Sequence, residues 1–368
     1  MKVGITTTHT HQNFGTFLQC YALQRIISEF GGDAEIIDYR RKDYSRPSLE
    51  KIRIEIGYYR KHPIDLFKWV LASRLIHKRQ VLFNSFAKKY FNLSASHYNT
   101  TDDILASPPC YDIYLTGSDQ VWNPSLGGFI LPYFLSFAPE SKKRASYAPS
   151  IGLSQLTEKE GKELTTLLNR FSHISCREIS GCDLLKSYGI NDVIHVLDPT
   201  LLIDTQVWEQ FSRQSDHLTK KYNLCYFLDD SEEKRRKVKN FWETTNNLVF
   251  LTTDYRYQKG SILAAGPIDF LSLIRNAESI ITDSYHGMLF CMIFHRDFYM
   301  FPRNNPFPKA AQNSRITDFL SDLGLFDRWN PRSLTDCKTI DYEIIDKLLN
   351  DKKNKSLQFI QSIFDSCK

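Results

Sequence analysis

A histidine lies among small polar residues at Ser284–Gly287, where the sequence reads Ser-Tyr-His-Gly. The run Ser279–Asp283 before it is typical of a buried strand, and the apolar run that begins at Met288 is typical of a helix. Because His286 would then lie at a helix amino terminus, it could give or take a proton near neutral pH. Gly287 permits close backbone approach, so this helix start could also bind an anion. The simpler interpretation is a local cap, with Ser284 as the capping residue.

An arginine follows a second predicted strand, His173–Cys176, at the point where a helix begins. The planar fork of Arg177 suits a carboxylate or a phosphate in a two-point contact. A surface ion pair with Glu178 is the alternative, and such a pair contributes about 1 kcal/mol or less. Arg177 is therefore a candidate anion ligand.

A third strand runs into a cluster of polar residues and an aromatic ring at Gly117–Asn123. The cluster offers a hydroxyl, a carboxylate, two amides and a ring face, from Ser118, Asp119, Gln120, Asn123 and Trp122. This combination suits a loop that binds a sugar. Alternatively, Ser118 and Asp119 are ordinary turn residues and Trp122 belongs to the core.

The first strand also ends in a polar turn, His9–Thr16. Asn13 and Gly15 could shape a loop that contacts an anion or a sugar. The pair His9 and His11 invites a metal interpretation, but no acidic or cysteine residue lies near in sequence to complete a ligand set. We expect no metal there.

A lysine follows the His286 turn by 23 residues, enough for one helix, one strand and a return loop. Lys309 could therefore approach the same pocket as His286. The alternative is a solvent-facing side chain, which is the commoner fate of lysines.

Strand-like and helical segments alternate along the chain, beginning with Val3–Thr7, a helix over about 15–30 and Glu35–Tyr39. This alternation predicts an α/β fold with parallel sheets between helices. A second series begins at Tyr222, so we predict two Rossmann-like, doubly wound domains that face a cleft. Their predicted ranges are 1–205, with a basic helical insert at about 45–95, and 206–340. Two amphipathic helices in 341–368, at about 341–351 and 354–366, are predicted to pack back on the first domain.

The composition, 42% hydrophobic and 24% charged, is that of a globular protein. No apolar stretch is long enough to span a membrane, and the amino terminus lacks the pattern of a secretory signal. The eight cysteines are dispersed without a Cys-x-x-Cys pair. This pattern indicates a reducing cytoplasm and argues against a structural zinc site.

Positive charge is concentrated in residues 40–90, which hold 14 Lys and Arg against 4 Asp and Glu. Aromatic residues alternate with these cations, as in helices that touch an anionic membrane or nucleic acid. The other interpretation is a solvated helical pair that packs its aromatics on its own domain. We expect no nucleic acid partner, and we keep an anionic membrane surface as a candidate, at the cytoplasmic face.

Taken together, six segments are similar to the polysaccharide pyruvyl transferase family. They are Asn13–Gly15 with Leu18–Leu23, Gly117–Asn123, Ser146–Gly152, Arg177–Glu178, Asp198–Thr200 and Asp283–Gly287. Each motif is short, and their order and spacing over about residues 1–330 carry the resemblance. The family often has Phe where this chain has Tyr285.

The resemblance implies a glycosyltransferase-B-like pair of domains and a transfer of pyruvate from phosphoenolpyruvate (PEP) to two sugar hydroxyls, without a metal or other cofactor. It also implies that Arg177, His286 and Lys309 bind PEP and catalyse the transfer. We predict that Ser284 and Gly287 complete the PEP site. The predicted acceptor-binding residues are Asn13, Gly15, Ser118, Asp119, Gln120, Trp122 and Asn123. The basic insert is compatible with an acceptor linked to undecaprenyl diphosphate, in capsule or exopolysaccharide biosynthesis.

Other functions agree with the same fold. A nucleotide-sugar-dependent glycosyltransferase would bind a nucleotide in the second domain, where no clear acidic ribose-binding residue is visible. A non-catalytic saccharide-binding protein is disfavoured by the intact Arg177, His286 and Lys309. A hydrolase built on Ser284 and His286 lacks an identifiable orienting acid.

Overall fold

The first half of the chain forms a parallel sheet of five strands in the order β3-β2-β1-β4-β5. The computed structural model describes residues 1–41, 60–215, 220–242, 247–254, 260–303 and 313–366. The strands are β1 (Lys2–Thr6), β2 (Asp33–Tyr39), β3 (Leu93–Tyr98), β4 (Ile113–Thr116) and β5 (Lys143–Ser146). Two further parallel strands, β6 (Ile174–Cys176) and β7 (Val193–His195), are linked to this sheet by one bridge between Ala145 and His173.

The second half repeats the arrangement, with the order β10-β9-β8-β11-β12. Its strands are β8 (Asn223–Tyr226), β9 (Leu248–Leu251), β10 (Ser261–Ile262), β11 (Ser279–Thr282) and β12 (Asp297–Met300). Every residue of β4 and β8, which are both paired on two sides, is buried. Helices cover both faces of a parallel sheet, so its strands are nearly continuous apolar runs. Two doubly wound domains are confirmed.

Eleven α-helices connect and flank the strands within the described residues. They are α1 (Phe14–Glu29), α2 (Pro63–Tyr90), α3 (Thr101–Ala106), α4 (Glu158–Leu168), α5 (Ile179–Ser187), α6 (Thr205–Ser212), α7 (Glu232–Phe241), α8 (Pro267–Asn276), α9 (Tyr285–Ile293), α10 (Ser314–Asp322) and α11 (Tyr342–Asp365). The predicted domain boundary at 205/206 falls at the start of α6, between β7 and β8. None of the described helices combines the length and the hydropathy that crossing a bilayer requires.

The predicted basic insert, about 45–95, is described only from residue 60, where it consists of α2 and β3. The carboxyl-terminal half of α2 packs on the first domain, with Phe83 against both Phe14 and Phe17. Residues 42–59 of the insert lie outside the described residues.

One continuous helix, α11, replaces the two helices predicted for the carboxyl terminus. The residues between the two predicted helices, Lys352 and Lys353, favour a helix and include no proline or glycine, so the predicted break there was wrong. The helix returns to the first domain as predicted: Leu197 N–H donates to Ser356 Oγ at 2.9 Å, and Phe364 stacks on Phe30.

Candidate active site

The polar turns predicted to carry chemistry meet between the two sheets. Three of them follow the carboxyl ends of β4, β6 and β11, and the fourth lies between β1 and α1. In parallel sheets this is the edge at which ligands bind, because helix amino termini and loops converge there. The site therefore takes side chains from both domains.

Arg177 lies at the end of β6 and is buried. Its Nη1 donates to Asp198 Oδ2 at 2.9 Å and to Ser118 Oγ at 3.4 Å, and its Nε donates to Glu178 Oε1 at 3.4 Å. Burial alone would lower the pKa of Arg177, but the carboxylates of Glu178 and Asp198 raise it above its ordinary value. Its Nη2 has no hydrogen-bond partner within the described residues. Arg177 is thus a fixed, buried cation with one donor left to offer.

Asp198 joins the two domains at this point. Its Oδ2 accepts from Arg177 and from Ser118 Oγ and lies 3.3 Å from Nε2 of His286, while its Oδ1 accepts from the backbone N–H and the hydroxyl of Thr200. Burial alone would raise the pKa of this carboxyl, but the charges of His286 and Arg177 hold it well below its usual range. Asp198 is therefore a buried carboxylate that contacts a basic side chain from each domain.

His286 is the second residue of α9, and its ring is held against the first domain. A methyl group added at Gly15 in α1 would lie 2.1 Å from His286 Nδ1, so only glycine leaves room for this ring position. Although Nε2 lies at ion-pair distance from Asp198, it makes no hydrogen bond of good geometry to any described residue. The imidazole is thus placed with one nitrogen that a ligand can use.

Ser284 caps α9, because its Oγ accepts from the backbone N–H of Gly287 at 3.2 Å. This N–H is consequently not free in the structure, in contrast to the expectation that the helix start at Gly287 offers it to an anion. The glycine is needed instead for packing, since a methyl group there would lie 2.9 Å from Thr282 Oγ1.

In the Gly117–Asn123 segment, Asp119 is half-buried and adopts φ of +80°. Its Oδ2 accepts from the hydroxyls of Thr16 at 2.7 Å and Thr8 at 3.0 Å. Burial alone would raise its pKa, but the charge of Arg177, followed by that of His286, lowers it. Few residues other than glycine tolerate this backbone conformation, and such residues cluster at functional sites.

The other residues of the segment have different surroundings. Ser118 belongs to the buried Arg177 and Asp198 network, and Asn123 Nδ2 donates to Gln120 Oε1 at 2.8 Å. Trp122 is fully buried, stacks on Phe134 and donates from Nε1 to the carbonyl of Tyr133. Its indole is a core side chain, so the expectation that it presents a ring face to a sugar was wrong.

The turn before α1 brings its backbone and the side-chain amide of Asn13 to the site. Asn13 caps α1, with its Oδ1 accepting from Thr16 N at 3.2 Å. His9 is buried and its Nε2 lies 3.0 Å from Asp38 Oδ1, whereas His11 is exposed. No group of three or more metal-ligating side chains occurs in the part of the chain that the structure describes.

Two residues of the site, Asp198 and Arg315, were not among the predicted site residues. Arg315, in the first turn of α10, is buried and lies over the Tyr285 ring at 5.6 Å, while Arg177 lies 4.7 Å from the same ring. In the other orientation of the Gln120 amide, in which its oxygen no longer faces Asn123, that oxygen lies 2.7 Å and 3.1 Å from the terminal nitrogens of Arg315 and accepts from them. Arg315 Nε has no partner among the residues described.

The electrostatics around Arg315 favour an anion. Burial lowers its pKa to about 9, and the charges of Arg303 and Arg177 act in the same direction. The guanidinium is still charged at neutral pH, but the carboxylates around it do not fully compensate that charge. Lys309, predicted to fill this role, lies outside the described residues.

Only one of the two unpredicted residues has a local signal in the sequence. Asp198 follows β7 closely, so the rule that strand ends carry the site could have found it. Arg315 follows no strand directly, and its position depends on how α10 packs against the rest of the fold.

A family model described as polysaccharide pyruvyl transferase matches residues 13–305. No curated protein matches the sequence. Among solved structures, UDP-GlcNAc 2-epimerase from Methanocaldococcus jannaschii, in complex with UDP-GlcNAc and UDP, is 16% identical over 100% of both chains, with a TM-score of 0.51. A Listeria monocytogenes protein assigned as a UDP-N-acetylglucosamine 2-epimerase is 10% identical over 98% of this chain and 90% of that chain, with a TM-score of 0.52.

The structural likenesses establish the fold, a glycosyltransferase-B-like pair of Rossmann-like domains. The family match covers most of the sequence and includes the Arg177 and His286 turns, which the structure brings together on Asp198. This chain belongs to the polysaccharide pyruvyl transferase family.

Proposed function

We propose that this chain transfers the pyruvyl group of PEP to two hydroxyls of one sugar, forming a cyclic ketal and releasing phosphate. The observation that carries the proposal is a buried set of cationic donors between the domains. Arg177 Nη2 and Arg315 Nε are buried and have no hydrogen-bond partner within the described residues, and the buried His286 Nε2 lies 3.3 Å from Asp198 Oδ2 without a hydrogen bond of good geometry. Unpaired buried donors of this kind are costly unless a ligand satisfies them.

PEP suits this set because it carries a carboxylate and a phosphate on one small framework. Binding it at about 100 µM requires about −5.5 kcal/mol. Charge-assisted hydrogen bonds contribute about 1.5–3 kcal/mol each before ordering costs. Two arginines and a histidine are therefore enough to bind it, and Lys309 stays a further predicted ligand.

In the proposed reaction, the imidazolium form of His286 gives a proton to the methylene carbon of PEP, and a sugar hydroxyl oxygen bonds to the adjacent carbon. The C–O bond to phosphate then breaks, and the second sugar hydroxyl bonds to the same carbon to close the ketal. One hydroxyl proton replaces the proton that His286 gave, and the other leaves with phosphate or solvent. Arg177 and Arg315 stabilise the charge on the departing phosphate. No metal or other cofactor is part of this proposal.

The acceptor is proposed to lie along the first domain, near Asp119, Gln120 and Asn13. Asp119 is held by Thr8 and Thr16 beside the His286 ring, so its carboxylate can accept a hydrogen bond from a sugar hydroxyl. A carboxyl with a lowered pKa is a weak base, and its proposed role is to orient the hydroxyl rather than to remove its proton.

Release of phosphate from PEP tests the proposal. Purified protein is incubated with PEP and a panel of hexose and N-acetylhexosamine glycosides that have free 4,6- or 3,4-hydroxyls. We expect phosphate release that requires both substrates, and a ketal in the product. Thermal stabilisation by UDP-GlcNAc but not by PEP would favour a nucleotide-sugar-dependent glycosyltransferase instead.

The role of His286 is tested by His286→Gln. Loss of a general acid lowers turnover by about 10²–10⁴-fold, while PEP affinity falls much less because the arginines remain. Near wild-type phosphate release by this variant would contradict the proposed mechanism. The exposed His97→Gln serves as the matched control and should leave turnover unchanged.

A further inference from the structure

Helix α2 is divided into a packed half and an unpacked half. From Arg79 onward it packs through Phe83 and Phe86, which belong to the main hydrophobic cluster. Before Arg79, only Ala72 is buried. Sixteen large apolar side chains are exposed among the described residues, and eight of them lie between Ile64 and Val81. Contiguous exposed apolar surface of this kind marks an interaction site.

Four of these eight exposed apolar residues form a stripe with cations along it, and the other four lie on the remaining faces of the helix. Ile64, Phe67, Leu71 and Leu75 are spaced by three or four residues and therefore share one helix face. Ile64 and Phe67 are 70% and 64% exposed. The basic residues near the stripe are Lys68, Arg74 and Lys78.

We infer that this half of α2, residues 60–81, docks on an anionic lipid surface, with the apolar stripe inserted among the acyl chains and the cations against the headgroups. Apolar and aromatic residues on one face, combined with Lys and Arg, are what an interfacial helix requires. Because six Lys and Arg and one acid, Asp65, lie within 60–81, the charge complements an anionic leaflet. The same charge disfavours a symmetric contact between two copies of this chain, since equal cationic stripes would face each other.

The docking helix is joined directly to the candidate site. Arg79 Nη2 donates to the carbonyl of Gln12, and its guanidinium lies 5.4 Å from the Phe14 ring. One turn further along, Leu82 lies against Gly266 at the start of α8 in the second domain. The loop that precedes α1 is therefore anchored about one helical turn from the inserted stripe. If the proposed pyruvyl transfer holds, this arrangement suits an acceptor sugar carried on a membrane lipid.

Vesicle co-sedimentation tests the docking. The full chain is mixed with vesicles of phosphatidylcholine alone, or of phosphatidylcholine with about one-third phosphatidylglycerol. The triple variant Lys68→Gln, Arg74→Gln, Lys78→Gln removes cations next to the stripe, and the matched control Lys159→Gln, Lys186→Gln, Lys239→Gln removes exposed cations elsewhere. A second variant, Phe67→Ser with Leu71→Ser, removes apolar contacts from exposed positions that do not hold the fold together.

We expect the wild type to bind the anionic vesicles and not the neutral ones. Each cation near an anionic leaflet raises binding by about five-fold, so the triple variant should bind about 100-fold more weakly. The control triple should lose at most a few-fold, and binding should fall with added salt.

No binding by the wild type, or equal losses in the two triple variants, would overturn the inference. So would a wild-type dimer in sedimentation equilibrium that Phe67→Ser with Leu71→Ser converts to monomer, because a second copy would then cover the stripe. Thermal stabilisation by PEP, measured on the same proteins without vesicles, reports on the catalytic site separately. Failure of docking is thereby distinguished from failure of the proposed function.

Discussion

At the scale of single residues, Arg315 has the least compensated charge of the candidate site. It is buried beside two other arginines, which act with burial to lower its pKa to about 9. The side chain therefore destabilises the empty site and would be stabilised by an anion. A residue of this kind is expected to contribute to ligand binding and not to folding.

We predict that Arg315→Gln weakens PEP binding by about 10- to 100-fold, the equivalent of one charge-assisted hydrogen bond. The free energy of unfolding should stay the same or rise, because a repulsion is removed. Titration calorimetry with PEP and urea denaturation measure the two quantities. The control is Arg213→Gln, an exposed partner of Glu209, which should change neither. Unaltered PEP affinity in the Arg315 variant would remove this residue from the site.

For Asp198 we predict the opposite, a large loss of stability when the residue is replaced. Replacement by Asn keeps the shape but leaves Arg177 buried without its carboxylate, which should lower the free energy of unfolding by about 3 kcal/mol at pH 7. Asp204→Asn, at an exposed helix cap where Asn serves equally well, is the control and should have little effect.

The difference in stability between the wild type and Asp198→Asn should depend on pH, and the sign of this dependence is defined. The pKa of Asp198 is lower in the folded chain than its unfolded value of about 3.9. Its contribution to stability is therefore complete above about pH 4 and is lost as the pH falls below that value. The difference between wild type and Asp198→Asn should shrink by about 1 kcal/mol at pH 3. A difference that stays constant from pH 6 to pH 3, in urea unfolding, would contradict the charged role.

Sequence patterns identify site residues that follow a strand directly and miss those placed by tertiary packing. Arg177 and His286 were predictable because each lies within a few residues of a strand end. Arg315 begins a helix, and nothing in its neighbours indicates that α10 brings it to Tyr285. Trp122 was misassigned for the converse reason: polar neighbours suggested exposure, but the ring packs on Phe134.

At the scale of elements, the predicted strands match the structure well wherever both faces are covered. The two strands that were missed, β3 and β10, lie at the outer edges of their sheets. The first has the sequence Leu-Ser-Ala-Ser-His-Tyr, and the second has only two residues. Edge strands need fewer apolar residues because one side is not paired, so their sequence signal is weak.

Helix α1 positions His286 through the absence of a side chain at Gly15. We predict that Gly15→Ala displaces the imidazole and lowers phosphate release from PEP by at least about ten-fold, because a displacement of about 1 Å in a catalytic group has effects of this size or larger. Alanine is the better helix former by about 1 kcal/mol, so weaker helix formation cannot be the cause of the loss. Ser28→Ala, an exposed substitution on the same helix, should leave turnover unchanged. Full activity in Gly15→Ala would show that the ring does not need this contact.

At the scale of the whole molecule, the two domains share one apolar core. A single hydrophobic cluster contains buried residues from both sheets, including Ile5 of β1 and Ile280 of β11. Phe14 of α1 stacks on Phe270 of α8 with ring centroids 4.8 Å apart, and it makes a T-shaped contact with Tyr226. Helix α11 adds a second link between the domains. At its start, the Tyr342 hydroxyl donates to the carbonyl of Arg296 in the second domain, and further along, Ser356 Oγ accepts from the backbone N–H of Leu197 in the first.

We therefore predict that the chain unfolds as one cooperative unit, although two separate Rossmann-like domains could unfold in two steps. Phe14→Ala should lower the single transition as a whole, by about 3–5 kcal/mol, because it removes a ring that both domains contact. Calorimetry checks this through equality of the calorimetric and van't Hoff enthalpies. The exposed Phe326→Ala serves as the control and should shift the transition little. Two resolved transitions, or a Phe14→Ala effect confined to one of them, would mean that the shared core does not couple the domains, and that PEP binding must bring the halves of its site together.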